Sequence, residues 1–579
     1  MHASPDTPGD SSSVLRRAPS VIRNGPCPRH PNVSSATHFR PLPHDGSDGA
    51  KLGWIGTRNS DRYEALRAAQ ASTRQRLSTA EKSSYRQVIK ASALIGGSSA
   101  ISVVLGVVRT KVLAVLVGAA GVGAFGAYGS VVSLVGGIAG MGINMSGVRQ
   151  IAEAAGTSNG ARIARTALVL RRTSLLLGLV GMLTLLGFSR PIAIATFGNA
   201  ALTGSLAVLS VTILFAEVGG GQIALVQGLR RLRDLAALNI WGALLGTVLS
   251  LVVVFFLRER GIVPFLVSVS ILSTASSWWY ARKVRLEPVE LPWAVFWSEA
   301  RSLVGLGVVF MASGLMASAV AYLTRVMVIR QMDLTAAGLY QAAWILSTTY
   351  VGFVVSAMGA DYFPRLTAAA SDHREMNRLA NEQTEIALCM AVPGIIATMT
   401  FAPTVIQLLY SAEFGPAEGI LRWQLLGVLG RVISWPIGFI LPAKGCGTLF
   451  FCSEFLANLV HLILIYWGMK SFGLAGLGMA FFGMYVCYTL GIALVAARLT
   501  GFRWTRSNLR LGLGGMLATA LVFLLHSFRL NDGWLMVVGS LTVVATGLYA
   551  LRKLTHRSGV NPIRSLWSRL RPVSPAGTS

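Results

Sequence analysis

Long apolar runs separated by short polar connectors make up most of the chain between residues 88 and 553. Most runs reach the roughly 20 residues that an α-helix needs to cross a bilayer. A transmembrane β-barrel would instead show short segments of alternating polarity. The pattern therefore predicts an all-α polytopic membrane protein with about fourteen spans, near 90–117, 123–144, 168–189, 203–227, 237–257, 261–281, 302–329, 339–360, 384–409, 418–442, 449–469, 474–497, 509–528 and 534–551.

The spans fall into two sets of six, divided by the loop near 284–299, and a final pair. Arg325 in span seven sits at the depth of Arg109 in span one, which hints at an internal duplication. The first residues are rich in Pro, Ser, Arg and Gly, so we expect a disordered cytoplasmic tail there, unless the true start is Leu77 or Val88. The predicted domains are a basic tail over 1–87, six-helix bundles over 88–285 and 300–498, a helix pair over 507–553 and a tail over 554–579.

Composition supports the membrane assignment and narrows the class of function. Hydrophobic residues make up 53% of the chain and charged residues 13%, and the mean hydropathy is +0.58, values that exclude a soluble globular protein. The net charge of +27 comes from Lys and Arg in short loops and in the tails, the distribution that the positive-inside rule produces. We therefore expect both termini in the cytoplasm and no nucleic-acid partner.

Signals for catalysis are absent from the sequence. The five cysteines are scattered, with neither a CxxC pair nor metal-ligand spacing. No Ser-His-Asp arrangement is visible, and the internal polar stretches are too short to house the active site of a membrane glycosyltransferase or polymerase. We therefore expect no enzyme, no cofactor and no metal site.

Ionisable residues inside the spans are the strongest functional signal. Arg109 and Lys111 lie in the first span without an acidic residue, and a cation near the centre of a span costs about 2.5–3.5 kcal/mol on insertion scales. Two interpretations remain open: a water-filled cavity visited by an anion, or side chains that reach the outer headgroups. Other ionisable residues in or near spans are Glu217, Arg325, Asp361, Arg431, Lys444 and Glu454.

Cations outnumber carboxylates in this set, which favours an anionic cargo. Arginine's planar fork suits phosphate oxygens, and lysine adds a point charge. The alternative is a set of buried ion pairs that fix packing, with Glu217 or Glu454 neutralising an arginine.

Glycines recur in the second span. The sequence GGIAGMG, from Gly136 to Gly142, favours close helix packing, with hinge glycines of a moving bundle as the alternative. The spacing Gly121-x-Gly123-x-x-Gly126 matches a dinucleotide fingerprint but follows a spanning helix, so we interpret it as a turn.

Several stretches carry a family resemblance. The segment RTKVLAVLVGAAGVGAFGAYGSVVSLVGGIAGMGI resembles the start of Wzx-type O-antigen translocases of the MOP (multidrug/oligosaccharidyl-lipid/polysaccharide) flippase superfamily. Further matching stretches are Gly219–Ala236, Ser356–Leu366, Tyr410–Gly445 and Phe451–Val460. The resemblance covers roughly Val88 to Arg498, with Tyr410–Gly445 the most specific block.

The resemblance implies a fold and an activity. Two six-helix bundles would face each other in a V, and the cavity between them would flip an undecaprenyl-pyrophosphate-linked oligosaccharide across the inner membrane by alternating access, with polysaccharide polymerase machinery as a possible partner. Lys111, Arg431, Lys444 and Glu454 fall on charged positions of the family, whereas Val428 stands after Gly427 where the family often has an aspartate.

Combining both arguments, we expect two groups of site residues. The predicted substrate ligands are Arg109, Lys111, Arg325, Arg431 and Lys444. The predicted coupling or ion-pair residues are Glu217, Asp361 and Glu454.

Other functions stay open at this point. The extra helix pair is similar to that of lipid II-type flippases of the same superfamily. A MATE-like multidrug antiporter would need carboxylates for cationic drugs, and the first span offers none. A polysaccharide polymerase or ligase, from a different class, would act on lipid-linked units already outside the membrane. A purely structural scaffold is disfavoured by the cost of so many buried charges.

Overall fold

A computed structural model of the chain describes residues 56–157, 159–527 and 532–558. The chain divides into two compact units, Met1–Ala65 and Leu66–Ser579, and the description below concerns the second. Within the described ranges the structure contains seventeen α-helices, two short 3-10 helices and no strand. The prediction of an all-α protein is confirmed.

The helices follow the predicted spans, and several spans hold more than one helix, but the first helix begins at Gly56, within the stretch for which a disordered tail is predicted. Residues 1–55 of the predicted tail lie outside the described residues, as do 559–579 of the last one. The 3-10 helices are Arg258–Gly261 and Ala412–Phe414. The α-helices are α1 (Gly56–Gly140), α2 (Ile143–Gly156), α3 (Gly160–Gly187), α4 (Ser189–Phe197), α5 (Thr203–Gly228), α6 (Leu232–Leu257), α7 (Ile262–Ala281), α8 (Trp293–Gln331), α9 (Leu334–Ala368), α10 (His373–Thr400), α11 (Ala402–Leu409), α12 (Ala417–Gly438), α13 (Ile440–Ala443), α14 (Gly447–Phe472), α15 (Ala475–Thr500), α16 (Arg506–Ser527) and α17 (Asp532–Ser558).

Ten helical stretches in the described part of the chain are long and apolar enough to cross a membrane. Two of them, Gly97–Gly140 and Leu232–Ala281, contain 44 and 50 residues, enough for two crossings each at about 1.5 Å of rise per residue. The first breaks at Gly118, whose φ is 66°, and the second at the 3-10 helix Arg258–Gly261. Helices α8 and α9, of 39 and 35 residues, are also long enough, which gives the expected fourteen passes.

Because consecutive passes run in opposite directions, the loops gather at two ends of the molecule. We call one end the basic face; it contains the connectors near 157–160, 229–231, 282–292, 369–372, 444–446 and 501–505. The other end, the opposite face, contains the break at Gly118 and the connectors near 198–202, 258–261, 332–333, 410–416 and 473–474. Most loop arginines and lysines lie at the basic face.

The helix sets α1–α7 and α9–α15 share a core only toward the opposite face, as far as the described residues go, while α8 also packs on α1–α7 toward the basic face. We call α1–α7 the N-terminal lobe and α9–α15 the C-terminal lobe. One core joins both lobes near the opposite face and includes Leu113, Val122, Ala337, Ile420 and Phe481. Toward the basic face each lobe has its own core, one around Ile143, Leu170, Leu225 and Phe296 and one around Tyr362, Met376, Ile440 and Ile492. The lobes are therefore closed together at the opposite face and separate at the basic face.

Glycines allow the two lobes to meet at the closed end. A Cβ added at Gly123 would lie 2.0 Å from the Leu334 carbonyl oxygen, and one at Gly338 would lie 1.9 Å from the Ala119 carbonyl oxygen. The backbones of α1 and α9 are thus in direct contact, as small residues permit in membrane helices. The predicted turn at Gly121–Gly126 is wrong, because this segment is helical and its glycines provide a packing surface.

The last two helices pack on the C-terminal lobe through α10. Lys553 Nζ lies 3.1 Å from Glu385 Oε1 in an ion pair whose carboxylate side chain is only 6% exposed. The same amine donates to Ser507 Oγ at 2.8 Å. A Cβ added at Gly515 or Gly539 would overlap Val392 or Thr400 of α10. These contacts make the helix pair an integral part of the lobe.

Candidate functional site

The predicted site residues lie at different depths of the fold. Lys444 is at the basic face, Arg431 and Glu217 are well inside α12 and α5, and Lys111 is close to the opposite face. The predicted site residues therefore form several separate groups.

A cavity of about 270 Å³ in the C-terminal lobe brings together Arg431 and Glu454. It lies among α12, α14 and α15, and its other polar lining residues include Asn458, Tyr485 and Tyr488. The Tyr488 hydroxyl donates to Glu454 Oε1. Within the described part of the chain the Arg431 guanidinium has no hydrogen bond and no ion pair, although it shares the cavity with Glu454. Arg431 is thus a half-buried cation that is available to an anion.

The sequence of α12 explains how this cavity is built. Gly427 and Gly430 admit side chains of α15, since a Cβ at these positions would lie 2.5 Å from Phe481 Cδ1 and 3.0 Å from Tyr485 Cβ. This close approach places Tyr485 in the cavity wall. Pro436 cannot donate a backbone hydrogen bond, and its own carbonyl accepts from the Tyr362 hydroxyl at 2.7 Å. The end of α12 is thereby fixed against α9.

Arg109 and Arg325 approach the same turn of α1 from two sides. The Arg109 guanidinium carbon lies 5.8 Å from the centre of the Phe265 ring, a cation–π contact, and that ring packs edge-on against Phe125. Arg325 Nη2 donates to Gln341 Oε1 at 2.6 Å. The same amide oxygen would lie 2.9 Å from a Cβ at Gly126. Arg325 therefore lies at the seam between the lobes, whereas the contact of Arg109 is within the N-terminal lobe.

Lys111 is part of a contact set between the lobes that we call the opposite-face lock. Its Nζ donates to the Gln407 carbonyl oxygen at 2.9 Å and to the Tyr410 carbonyl oxygen. These carbonyls belong to the C-terminal end of α11, where backbone acceptors lack helical partners and carry partial negative charge. The amine thereby ties the first pass of the N-terminal lobe to the C-terminal lobe.

Glu413 completes the lock, and sequence reasoning missed it. Its Oε1 accepts from the Ala119 backbone N–H at 3.2 Å, one of the donors left free where α1 restarts after the break at Gly118. A Cβ added at Gly118 would lie 2.9 Å from Glu413 Oε2. The available signal was an acid in a short connector between spans, within the block Tyr410–Gly445 that carries the strongest resemblance.

Lys444 and Asp361 do not line the Arg431 cavity. Lys444 Nζ donates to the Ala370 carbonyl oxygen at 3.2 Å and lies 2.7 Å from His373 Nε2, so it ties two connectors of the basic face together. Asp361 lies 3.0 Å from Arg365, with side chains that are 76% and 52% exposed. An exposed pair of this kind contributes little to stability.

Glu217 lies apart from these groups, in the interior of the N-terminal lobe. It is buried, and one carboxyl oxygen has no hydrogen-bond partner. Neither Glu217 nor Glu454 forms an ion pair with an arginine in the part of the chain that the structure describes. The interpretation of these acids as neutralising partners of buried arginines therefore has no support there.

Comparison with known proteins now identifies the family. The model of a family described as polysaccharide biosynthesis protein matches residues 112–418, more than half of the 579 residues. The chain belongs to the polysaccharide biosynthesis protein family. It is also 22% identical over 151 residues to the lipid III flippase of Escherichia coli (strain K12). That alignment spans 26% of this chain and 36% of the relative, about a third of its length.

Solved structures establish the fold of this family member. The lipid II flippase MurJ in an inward closed conformation gives a TM-score of 0.60 at 14% identity, over 80% of this chain and 99% of the other. An inward-facing MATE family transporter of the MOP superfamily gives 0.58 at 15% identity, over 69% and 96%. The predicted MOP/MATE-like fold and the resemblance to this superfamily are confirmed, and the chain is a multi-pass membrane protein.

Proposed function

We propose that this member of the polysaccharide biosynthesis protein family is a flippase for an undecaprenyl-pyrophosphate-linked oligosaccharide, such as an O-antigen repeat unit. The observation that carries the proposal is the unpaired Arg431 guanidinium in the wall of a cavity within the C-terminal lobe. A pyrophosphate offers the oxygens that a guanidinium binds best. The family membership and the named activities of the MurJ and Escherichia coli proteins add support.

The direction of transport follows from charge. We place the basic face in the cytoplasm together with both termini, since loops rich in Lys and Arg stay on that side. The conformation with lobes separated at that face then accepts substrate from the cytoplasmic leaflet of the inner membrane. A pyrophosphate diester carries about two negative charges, so an inside-negative potential of 100 mV would contribute up to ~4.6 kcal/mol to its outward movement.

Within this proposal the cations have successive roles. Arg431 binds the pyrophosphate first, and Arg325 at the seam between the lobes and Arg109 in the N-terminal lobe receive it next. Lys111 becomes available to the phosphates only after the lock opens, because its amine is bound to backbone carbonyls in the closed state. Lys444 shapes the cytoplasmic entrance through its contacts with the connector of α9 and α10. The polyprenyl tail stays in lipid, and polysaccharide polymerase machinery would receive the product.

Two other functions are distinguishable from this one. A MATE-like antiporter would bind cationic drugs at carboxylates, and Glu454 in the same cavity is the residue that favours this second candidate. Deletion would then change drug resistance and leave lipid-linked saccharides unaltered. A polymerase or ligase would, on deletion, leave the lipid-linked units on the outer side of the membrane, whereas loss of a flippase would retain them inside.

The test is the sidedness and amount of lipid-linked saccharide in a strain that lacks the protein and carries variants of it. Arg431→Ala should retain the saccharide on the cytoplasmic side at unchanged membrane levels of the protein, and Arg431→Lys should restore part of the export. Arg149→Ala is the matched control, because Arg149 is exposed and pairs with its helical neighbour Glu153. Normal export by Arg431→Ala would refute the assignment.

A further inference from the structure

The carboxyl group of Glu217 is enclosed in the N-terminal lobe, and no cation among the described residues pairs with it. The residue is 8% exposed, and its Oε2 is buried with no hydrogen-bond partner. All three carboxyl atoms would lie within 2.8 Å of a Cβ at Gly140, so a larger residue at that position would displace the carboxyl group. The position is near the middle of α5, far from both faces.

The end of a broken helix lies against this carboxyl group. Helix α1 ends at Gly140, and α2 begins at Ile143. Between them Met141 has a φ of 44° and Gly142 a φ of 67°, both in the left-handed region. The last carbonyls of α1 lack helical partners and form the negative end of the helix dipole. The first N–H groups of α2 form the positive end of the next helix at the same break. An ionised Glu217 would therefore place a charge without an ion-pair partner among the described residues where its Oε2 is shielded from water.

Neutral polar side chains complete the surroundings. Asn144 Oδ1 and Ser174 Oγ are buried without hydrogen-bond partners. They lie against Gly220 and Gly221 of α5, one turn beyond Glu217. Broken helices with unsatisfied polar groups near mid-membrane are the usual setting of coupling-ion sites in transporters.

Charged groups on the neighbouring helices do not compensate Glu217. Helices α2, α3, α4, α6 and α7 pack on α5, as does the end of α1, and none of their described charged side chains forms an ion pair with Glu217. Several are engaged elsewhere, since Arg149 pairs with Glu153, Arg231 pairs with Asp234, and Arg172 donates to a backbone carbonyl. Charged residues on these helices and on the facing part of α1 are Arg109, Lys111, Arg149, Glu153, Arg162, Arg165, Arg171, Arg172, Arg190, Arg233 and Asp234.

We infer that Glu217 is a proton-binding site and that its proton holds the break between α1 and α2 in the conformation with the basic face open. A proton is the ligand that fits, because no group of three or more His, Cys, Asp or Glu side chains in the described part of the chain could hold a metal ion. Protonation removes the charge and turns one carboxyl oxygen into a donor.

The break between α1 and α2 connects Glu217 to α8, because the residues of the break pack against α8. A Cβ added at Gly142 would lie 2.2 Å from the Gly307 carbonyl oxygen of α8, and one at Gly307 would lie 2.3 Å from the Met141 carbonyl oxygen. Loss of the proton creates a buried charge that requires water, and water enters only if this packing loosens. Release of the proton thus favours a rearrangement of α8 against the N-terminal lobe. As a coupling step for transport this rests on the proposed function, while the site itself does not.

The test measures conformation and needs no substrate. Spin labels on Thr157→Cys and Ser371→Cys, exposed at the basic face in the two lobes, report its opening in a cysteine-free full-length protein in liposomes between pH 5.5 and 8.5. The open population should dominate at low pH, and the open-to-closed ratio should fall with rising pH by up to ~tenfold per unit for one proton. Glu217→Gln should keep the low-pH distribution at every pH, and Glu217→Asp should retain a pH response. The control Glu259→Gln, an exposed acid of the same lobe, should behave as the unmodified protein.

A pH response of Glu217→Gln equal to that of the unmodified protein would overturn the inference, as would a distance distribution that ignores pH in the unmodified protein. Both results leave the Arg431 export test unaffected, because that test depends on the substrate. Conversely, a failed export test with an intact Glu217 response would reject the flippase and retain the proton site.

Discussion

Glu413 holds the opposite-face lock, and its removal should shift the protein toward opening at that face. Its carboxylate accepts from the Ala119 N–H at 3.2 Å, next to the break at Gly118 where the positive end of a helical segment begins. A hydrogen bond to a charged group contributes about 1.5–3 kcal/mol. Taking about 2 kcal/mol for Glu413→Ala, the ratio of closed to open states at this face should fall ~30-fold. Glu413→Gln keeps an acceptor without the charge, so its effect should be several-fold smaller.

Distance measurements between spin labels test this prediction. Asn199→Cys and Ser471→Cys are exposed near the opposite face in the two lobes, and their separation should increase in the population that opens. Glu259→Ala removes an exposed acid from the same face and serves as the control. A Glu413→Ala distribution that matches the unmodified protein would show that the lock does not determine the conformation.

Two stability predictions follow from the packing. Lys553→Met breaks the ion pair between Lys553 and the buried Glu385. Breaking a buried pair costs about 3–5 kcal/mol, so the melting temperature in detergent should fall clearly. Arg149→Met breaks an exposed pair, with side chains that are 57% and 53% exposed, and should change the melting temperature little. Gly338→Ala places a Cβ 1.9 Å from the Ala119 carbonyl oxygen, and overpacking of this kind costs about 1–3 kcal/mol. The same opposite-face labels should then show more of the open state, and an unchanged distribution would contradict the direct backbone contact.

The charged residues show how far sequence reasoning reached. Arg431 and Glu454 were selected because ionisable groups within spans are costly and therefore informative, and the structure places both in one cavity. Their meeting depends on α12, α14 and α15 packing together, with Tyr485 seated on Gly430. No spacing within any one of these helices encodes that arrangement.

The hydrogen-bond partners of Lys111 and Lys444 are not predictable from the sequence, for a different reason. Lys111 and Lys444 are bound by backbone carbonyls of helix ends and connectors that are distant in sequence. Every residue carries such a carbonyl, so the sequence does not distinguish an acceptor from its neighbours. The sequence does not indicate Glu413, because acids are common in surface connectors. Its role depends on the helix break that packing places beside it.

The sequence by itself determined the helical class, the number of passes and their approximate limits, because a bilayer requires about 20 apolar residues wherever a helix crosses it. Tertiary structure alone decided the closed opposite face, the lock of Lys111 and Glu413, and the enclosure of Glu217 beside the break at Gly140. Each of these depends on backbone groups and helix breaks brought together by packing between distant passes. Hydropathy indicates whether a residue can lie in lipid, whereas these contacts depend on which other helix lies next to the residue.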